Sequence, residues 1–462
     1  MDNIYNEYTP TASERQEYLA YKSPQDVLQN LNEGVKLLES ELSGRRIDRP
    51  VLICGGMAAF DKGLTDFLNG LSELNGSLFL LSEVTAEFRR YTADKINFPF
   101  ICTPHLLAKE IIVLGMNIPV SNEALELLKR KKYIKEAVDN MKGRYNSIGE
   151  GYAEMWSYYA YCYICRLLDI INPCEVWLWN EFYAFHHIFK NICIERKIAL
   201  KYMEFGCIPG TICIERVGQQ GESVPARHPI LFRMKKIVDS DIENADRVLE
   251  YCKRSGLNRN LQPEQHVNIE ALRFYRAGRK TLVYLGQNDY ESGLNPYSRN
   301  SRKYHSPVFS STLEALEYIQ MLAIKNDWNL IFKPHPIMSA LGHDTVTSAE
   351  GLDIVTEVDI NSVIDEADVV VTILSQSAYI ALIREKPVVM LGYTQLKGKG
   401  CTYEAFRRDK VEKKLKKAMK NGYTEKQKKL FVRHTAQLLK YYLYDDGVEK
   451  ELQIGCRSRR NV

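Results

Sequence analysis

Residues 369–373 read Val-Val-Val-Thr-Ile, an almost wholly β-branched run with no polar face. Branched side chains suit the pleated surface of a strand, and a run that is apolar on both faces must be covered on both, so this strand belongs inside a parallel sheet. Thr281 to Leu285, Asn329 to Lys333, Leu352 to Val355 and Val388 to Leu391 are further short apolar runs. Helical patterns separate them. Ser311 to Lys325 sets Leu313, Leu316, Ile319, Leu322 and Ala323 at helical spacing, with Ser310 as the predicted cap, and Ile360 to Ala367 is a shorter helix. Strands alternating with helices predict an α/β domain.

The strand Asn329 to Lys333 runs into Pro334, His335 and Pro336. Proline has no amide donor, so the chain must leave the sheet there. Lys333 and His335 then stand at the carboxyl end of a strand, where open α/β sheets bind ligands, and a cationic pair at that place suits a phosphate or diphosphate. A rigid turn with an incidental histidine is the structural alternative. The Val369 run ends in Leu374, Ser375, Gln376 and Ser377, where Ser375 or Ser377 serves as a helix cap or joins free first-turn amides in a phosphate site. Asp289 and Glu291, in the loop after Leu285, are candidate substrate-binding residues. The acidic residues form no two-metal cluster and no Walker lysine motif is present, so neither a metal centre nor ATPase-type cleavage is expected.

In the first half, Val51 to Cys54 enters Gly55 and Gly56, and Phe60 to Leu68 resembles a helix start. Strand, glycine turn and helix open a Rossmann-like domain, and the two glycines permit a tight turn or close substrate approach without completing a dinucleotide fingerprint. Ser77 to Leu81 and Ile111 to Leu114 are further candidate strands, Tyr152 to Ile171 is a buried aromatic helix, and Lys190 to Met203 reads as a helix. Val176 to Trp179 is a strand leading to Glu181, and Thr211 to Glu215 leads to a glycine-bounded loop carrying Glu222. Each glutamate follows a strand and sits beside small or polar residues, which makes both candidate general bases; a polar connection between sheet and helix is the bland role of the Glu222 loop.

At 462 residues the chain exceeds what one hydrophobic core sustains. The predicted organisation is a helical extension over 1–48, a Rossmann-like domain over 49–260, a second over 261–410, and helices over 411–462 packing across both. The 62 basic and 58 acidic residues leave a net charge of only +4, which argues against a nucleic-acid partner. Eleven cysteines without a regular framework suit a reducing cytoplasm, and Cys162 and Cys165 read as helix surface rather than half of a zinc site. No secretory signal opens the sequence, and no apolar run reaches the about eighteen residues of a membrane span. Lys413 to Lys420 places five lysines around Leu415, Ala418 and Met419, a solvated helix face or a patch for anionic lipid.

The run Asn329 to Pro336, the strand VVVTI with its preceding Asp368 and following Ser375 to Ser377, and the later EKPVVMLG resemble the carboxyl-terminal half of bacterial capsule polysaccharide biosynthesis proteins. These include enzymes that transfer 3-deoxy-manno-octulosonic acid (Kdo) from its cytidine monophosphate conjugate. The KPHP element is also similar to that of bacterial sialyltransferases and teichoic-acid glycerophosphotransferases. The resemblance covers roughly 280–405. It implies a GT-B glycosyltransferase of two Rossmann-like domains with a cleft between them, the first approached by the acceptor and the second holding the nucleotide. It further implies a nucleotide-sugar donor, a polysaccharide or lipid-linked glycan acceptor, no cofactor, and a cytoplasmic protein touching the inner membrane or a capsule assembly complex. His335 matches the histidine that contacts the donor phosphate, and one of Ser375 and Ser377, with Gln376 between them, matches the serine position at the helix start. The segment Gly392 to Gly400 departs from the Kdo-transferring pattern, which leaves the sugar open. Transfer of a polyol phosphate from a cytidine diphosphate donor and a non-catalytic scaffold are the rival expectations.

Overall fold

The structure is a computed structural model describing residues 49–55, 61–82, 94–103, 117–144, 148–259, 262–289, 293–294, 301–335, 346, 349–447, 452 and 454–457, with part of a helix between Gln29 and Leu42. Gly56, Glu291, Pro336 and the candidate strand Ile111 to Leu114 lie outside the described residues. Two compact units divide between Glu204 and Phe205, Asp446 and Gly447 joining the first and the rest, to 457, the second. Both are α/β and Rossmann-like.

The first unit carries β1 (Val51–Cys54), β2 (Leu78–Ser82), β3 (Phe100–Cys102), β4 (Glu175–Leu178) and β5 (Ala199–Phe205, whose last residue belongs to the second unit), in the order β5-β4-β1-β2-β3. Pairing among these five is parallel throughout. The aromatic helix Tyr152–Ile171 forms as predicted and buries Tyr152, Trp156 and Tyr163. It stops where Asn172 turns left-handed (φ 47°) with its amide on Leu168 O, and Pro173 then blocks continuation. The helix expected over Lys190 to Met203 does not exist as such. A helix runs from Ala184 to Glu195, Lys197 turns left-handed (φ 57°), and Ile198 N returns to Cys193 O at 2.9 Å. That closing motif needs no glycine or proline, so the stop was silent in sequence, and the remainder becomes β5.

The second unit carries β6 (Thr211–Glu215), β7 (Thr281–Leu285), β8 (Asn329–Lys333), β9 (Asp353–Ile354), β10 (Val369–Thr372), β11 (Val388–Met390), β12 (Tyr403–Glu404) and β13 (Leu443–Asp445). Six of them form a parallel sheet ordered β12-β11-β10-β7-β8-β9, with β10 wholly buried as its composition demands, while β6 and β13 pair antiparallel. The chain leaves β7 toward β8 and β9, then resumes on the other side with β10, so the order reverses between β7 and β10. The boundary expected near 260 moves to Phe205 because helix Asp239–Ser255 buries Ala245, Val248, Leu249 and Cys252 in one core with Val283, Leu285 and Ile331. The tail helices Arg408–Asn421 and Glu425–Tyr441 also belong to this unit, and the second supplies Phe431, Leu438 and Leu439 to that core. Helix Thr312–Lys325 is capped by Ser311, whose hydroxyl accepts from Glu314 N at 3.1 Å; Ser310 instead binds the Glu314 carboxylate. Among the described residues no helix is long and apolar enough to cross a membrane.

A buried polar latch locks the carboxyl edge of this sheet. Asp289 and His305 are fully buried, with His305 Nε2 2.8 Å from Asp289 Oδ1, and Gln287 Nε2 donates to the same oxygen. Asp289 Oδ2 accepts from Thr312 N at 2.6 Å, at the start of the helix leading to β8. Burial pushes the Asp289 carboxyl up, but the His305 imidazole and the donors of Gln287 and Thr312 outweigh it and hold the group below the usual carboxylate range. Gln287 Oε1 in turn accepts from Leu374 N at 3.0 Å, so the latch reaches the turn after β10. His305 O accepts from Tyr393 N at 3.1 Å, and a Cβ on Gly392 would overlap His305 O and stand 2.8 Å from Ile373 O.

Asp289→Ala would strand three buried donors, so a loss of about 3–5 kcal/mol is expected in the denaturant transition of the second unit, with faster hydrogen exchange at Leu374 and Ser377. Gly392→Ala forces backbone to move and should cost about 1–3 kcal/mol in the same melt.

Candidate functional site

The order reversal between β7 and β10 opens a crevice at their carboxyl ends, the position at which doubly wound sheets take ligands. Three turns meet there. Gly286, after β7, donates its amide to Lys333 O at 2.9 Å, and a Cβ on it would lie 3.3 Å from Pro334 Cα and from His335 N. A glycine at this point is therefore what lets the KPHP turn lie against the end of β7. On the other side, Thr372 Oγ1 donates to Leu285 O at 3.0 Å, which ties the end of β10 to that of β7.

His335 is half-buried on this edge. Burial first, then the neighbouring Arg259 guanidinium, push its pKa down; Asp289 pulls the other way, Lys333 adds to the lowering, and the result is about 4. The imidazole is therefore neutral at pH 7 beside two cations. Arg259 lies over the Phe205 ring at 4.5 Å and donates Nη1 to Gln376 Oε1 at 3.1 Å, while Gln376 Nε2 donates to Phe205 O at 3.0 Å. These contacts plant a guanidinium between the KPHP turn and the serine turn.

Ser375 Oγ accepts from Ser377 N at 3.2 Å and donates to Ser377 Oγ at 3.0 Å, so the two hydroxyls lie together just before the short helix Ser377–Ile383, whose cap position is Gln376. Both residues are half-buried. Lys333 is turned elsewhere. Its ammonium donates to Thr356 O at 2.9 Å, and burial lowers its pKa against the opposing pull of Asp359 and Glu357. Asp368 stands at the opposite end of β10, accepting from Thr281 N at 2.8 Å and Lys280 Nζ at 2.7 Å, which is a register pin for the sheet.

Two further candidates separate from each other. Glu222 lies in the second unit, not in the first domain as expected, on a short 3-10 turn from Gln220 to Glu222. Its carboxylate is part-exposed, 3.7 Å from Arg227 Nη1 and 3.6 Å from Lys303 Nζ. A Cβ on Gly221 would overlap Lys303 O and meet Tyr393 Cβ at 2.8 Å, so this loop is pressed against the segment that leads into His305. Glu181, in the first unit, is buried and ion-paired with Lys190. In that unit Gly55 packs where a Cβ would stand 2.8 Å from Trp179 Cβ, which joins the ends of β1 and β4. Asp289 is a member of the latch and is not open to solvent.

Sequence reasoning missed Arg259, Gln287, His305 and Gln376. Gln287 carried a usable signal, a polar residue immediately after a strand-ending glycine. Arg259 carried none, since it ends a charged segment that reads as a connector.

Residues 248–442 match the family model for capsule polysaccharide biosynthesis protein. A search of curated proteins gives no match. Among solved structures the chain is similar to Thermosulfurimonas dismutans KpsC, beta Kdo 2,7 transferase, at 18% identity over 64% of this chain and 86% of that one, with a TM-score of 0.39. It is similar to the beta Kdo 2,4 transferase of the same protein at 12% identity, over 57% and 79% of the two chains, TM-score 0.39. It is also similar to Methanocaldococcus jannaschii UDP-GlcNAc 2-epimerase at 12% identity, over 83% and 97%, TM-score 0.35. These likenesses assign no activity. The stretch matched by that family model, residues 248–442, holds Arg259, His335 and the serine turn.

Proposed function

We propose that the protein is a glycosyltransferase that moves a sugar from a cytidine or uridine nucleotide to a surface polysaccharide or its lipid-linked precursor. The observation that carries this reading is the meeting of His335, Arg259 and the Ser375–Ser377 turn at the β7 and β10 strand ends, within the family segment. A phosphate placed there meets a guanidinium, an imidazole and two hydroxyls, groups that favour anionic oxygen over a neutral ligand. The bond from the sugar's anomeric carbon to the phosphate oxygen breaks, and the electron pair stays on the phosphate. Arg259 and His335 stabilise the charge that gathers there. Lys333, engaged at Thr356, adds positive potential from behind without touching the phosphate. The acceptor hydroxyl forms the new bond to the anomeric carbon and gives its proton to a carboxylate. Glu222 is the better placed of the two candidates, because it is part-exposed and held by two long ion pairs, whereas Glu181 is buried on Lys190.

A thermal-shift panel of CMP, CDP, UDP and GDP tests donor binding. Saturable stabilisation by a pyrimidine nucleotide is expected; no response to any of the four would favour a scaffold. Product analysis then separates sugar transfer from polyol-phosphate transfer, since only the latter leaves new phosphate in the acceptor. His335→Ala should lower kcat/KM by about ten- to a hundredfold, the factor expected of one charge-assisted hydrogen bond.

The pH dependence has a definite sign. Without nucleotide the His335 pKa is lowered to about 4, and a bound phosphate raises that value, so the complex takes up protons between the two. Affinity for an intact nucleotide sugar, whose phosphodiester does not titrate in this range, should therefore strengthen as pH falls from 7 toward 5. Calorimetry in two buffers of different ionisation enthalpy checks the proton uptake, which His335→Ala should abolish.

A further inference from the structure

Large apolar side chains stand out most from the second unit within nine residues. Ile230 and Leu231 are each 65% exposed, Met234 73% and Val238 49%. They sit in the sequence Arg227 to Val238, RHPILFRMKKIV, which also holds Arg227, Arg233, Lys235 and Lys236 and contains no acidic residue. We propose that this segment is a membrane-contact surface, with Ile230, Leu231 and Met234 entering an anionic lipid surface while Arg233, Lys235 and Lys236 meet its headgroups.

The segment is built to present these side chains. Helix Pro229–Arg233 turns Phe232 inward, 1% exposed, with its ring 6.0 Å from His434 and 6.4 Å from Tyr442. Gln437 Nε2 donates to Arg233 O at 2.8 Å and Lys235 O at 3.0 Å, and Tyr441 OH donates to Lys236 O. The backbone is thereby held against helix Glu425–Tyr441, Ile237 packs partly on the core, and Ile230, Leu231, Met234 and Val238 project outward. Exposures of 65–73% describe protruding side chains, which suit insertion among acyl chains better than reception of a partner's side chain. A second copy of the chain would set Arg233, Lys235 and Lys236 against their own counterparts, an unfavourable isologous contact. The charge instead complements acidic headgroups, and a surface of this kind lies on a bilayer without spanning it.

The lysine-rich helix Arg408–Asn421 lacks the apolar half of such a device. Its Val411, Leu415 and Ala418 are buried, and Lys416 pairs with Glu412 at 2.8 Å. The basic tail singled out in the sequence is thus a solvated face by its packing.

The inference is independent of the glycosyltransferase reading and is tested without activity. The full chain is sedimented with vesicles of phosphatidylcholine alone and of phosphatidylcholine with phosphatidylglycerol, at low and high salt. Binding to the anionic vesicles only, weakened by salt, is expected. Ile230→Ser/Leu231→Ser/Met234→Ser should reduce the partition coefficient by more than about tenfold, from the apolar surface removed. Lys235→Glu/Lys236→Glu should do the same from the lost headgroup attraction, and Lys413→Glu/Lys417→Glu should leave it unchanged. Met234→Trp, which keeps the site apolar, should be quenched by brominated acyl chains above the background of the native tryptophans. Wild-type-like binding of the triple variant, loss confined to the tail variant, or no binding to anionic vesicles would each overturn the proposal. So would a lipid-free oligomer in sedimentation velocity that the triple variant dissolves, since a second copy would then be the occupant.

Discussion

Three donors converge on one buried carboxylate, and the working edge of the second unit is organised around it. An isolated charge in this position would be expensive; Asp289 is tolerated because His305, Gln287 and Thr312 all reach it. Those donors come from the turn after β7, the segment before helix Thr312–Lys325, and the first residue of that helix. The carboxylate is satisfied only when all three are in place, which makes it a register device. Its reach extends through Gln287 to Leu374 N and through His305 O to Tyr393 N, so the turns after β7, β10 and β11 are set by one cluster.

On that rigid edge the electrostatics run the other way. Arg259 and Lys333 stand near His335, and burial and like charge together depress its pKa to about 4. The free site holds two cations and a neutral imidazole poised to take a proton when an anion enters. Gln376 is central to this arrangement because it links Arg259 to Phe205 O from within the serine turn. A residue that looked like an interruption between two candidate serines is the one that aims the guanidinium.

The layered α/β character was legible because β10 and its neighbours are apolar on both faces, and only central parallel strands need that. The KPHP turn was legible as a strand end because proline cannot continue a ladder. Other features were not. The helix ending at Glu195 was silent because Lys197 supplies the left-handed residue that a glycine usually advertises. Glu222 and Glu181 looked alike in sequence, each a glutamate after a strand. One is part-exposed beside Arg227 and Lys303, and the other is closed onto Lys190, a distinction made by residues 5 to 81 positions away.

By itself, the sequence determined which segments are interior strands, where the chain must leave the second sheet, and that His335 and a serine-bearing turn stand at strand ends. These follow from local chemistry: branching, proline and hydrophobic period. The tertiary structure decided that Arg259 joins them, that Lys333 turns to Thr356, that Asp289 is a buried anchor, and that the exposed apolar residues cluster at Ile230 to Val238. Each of those depends on strand order and on what packs over a side chain, and hydrophobic pattern specifies a face without naming the neighbour that will cover it.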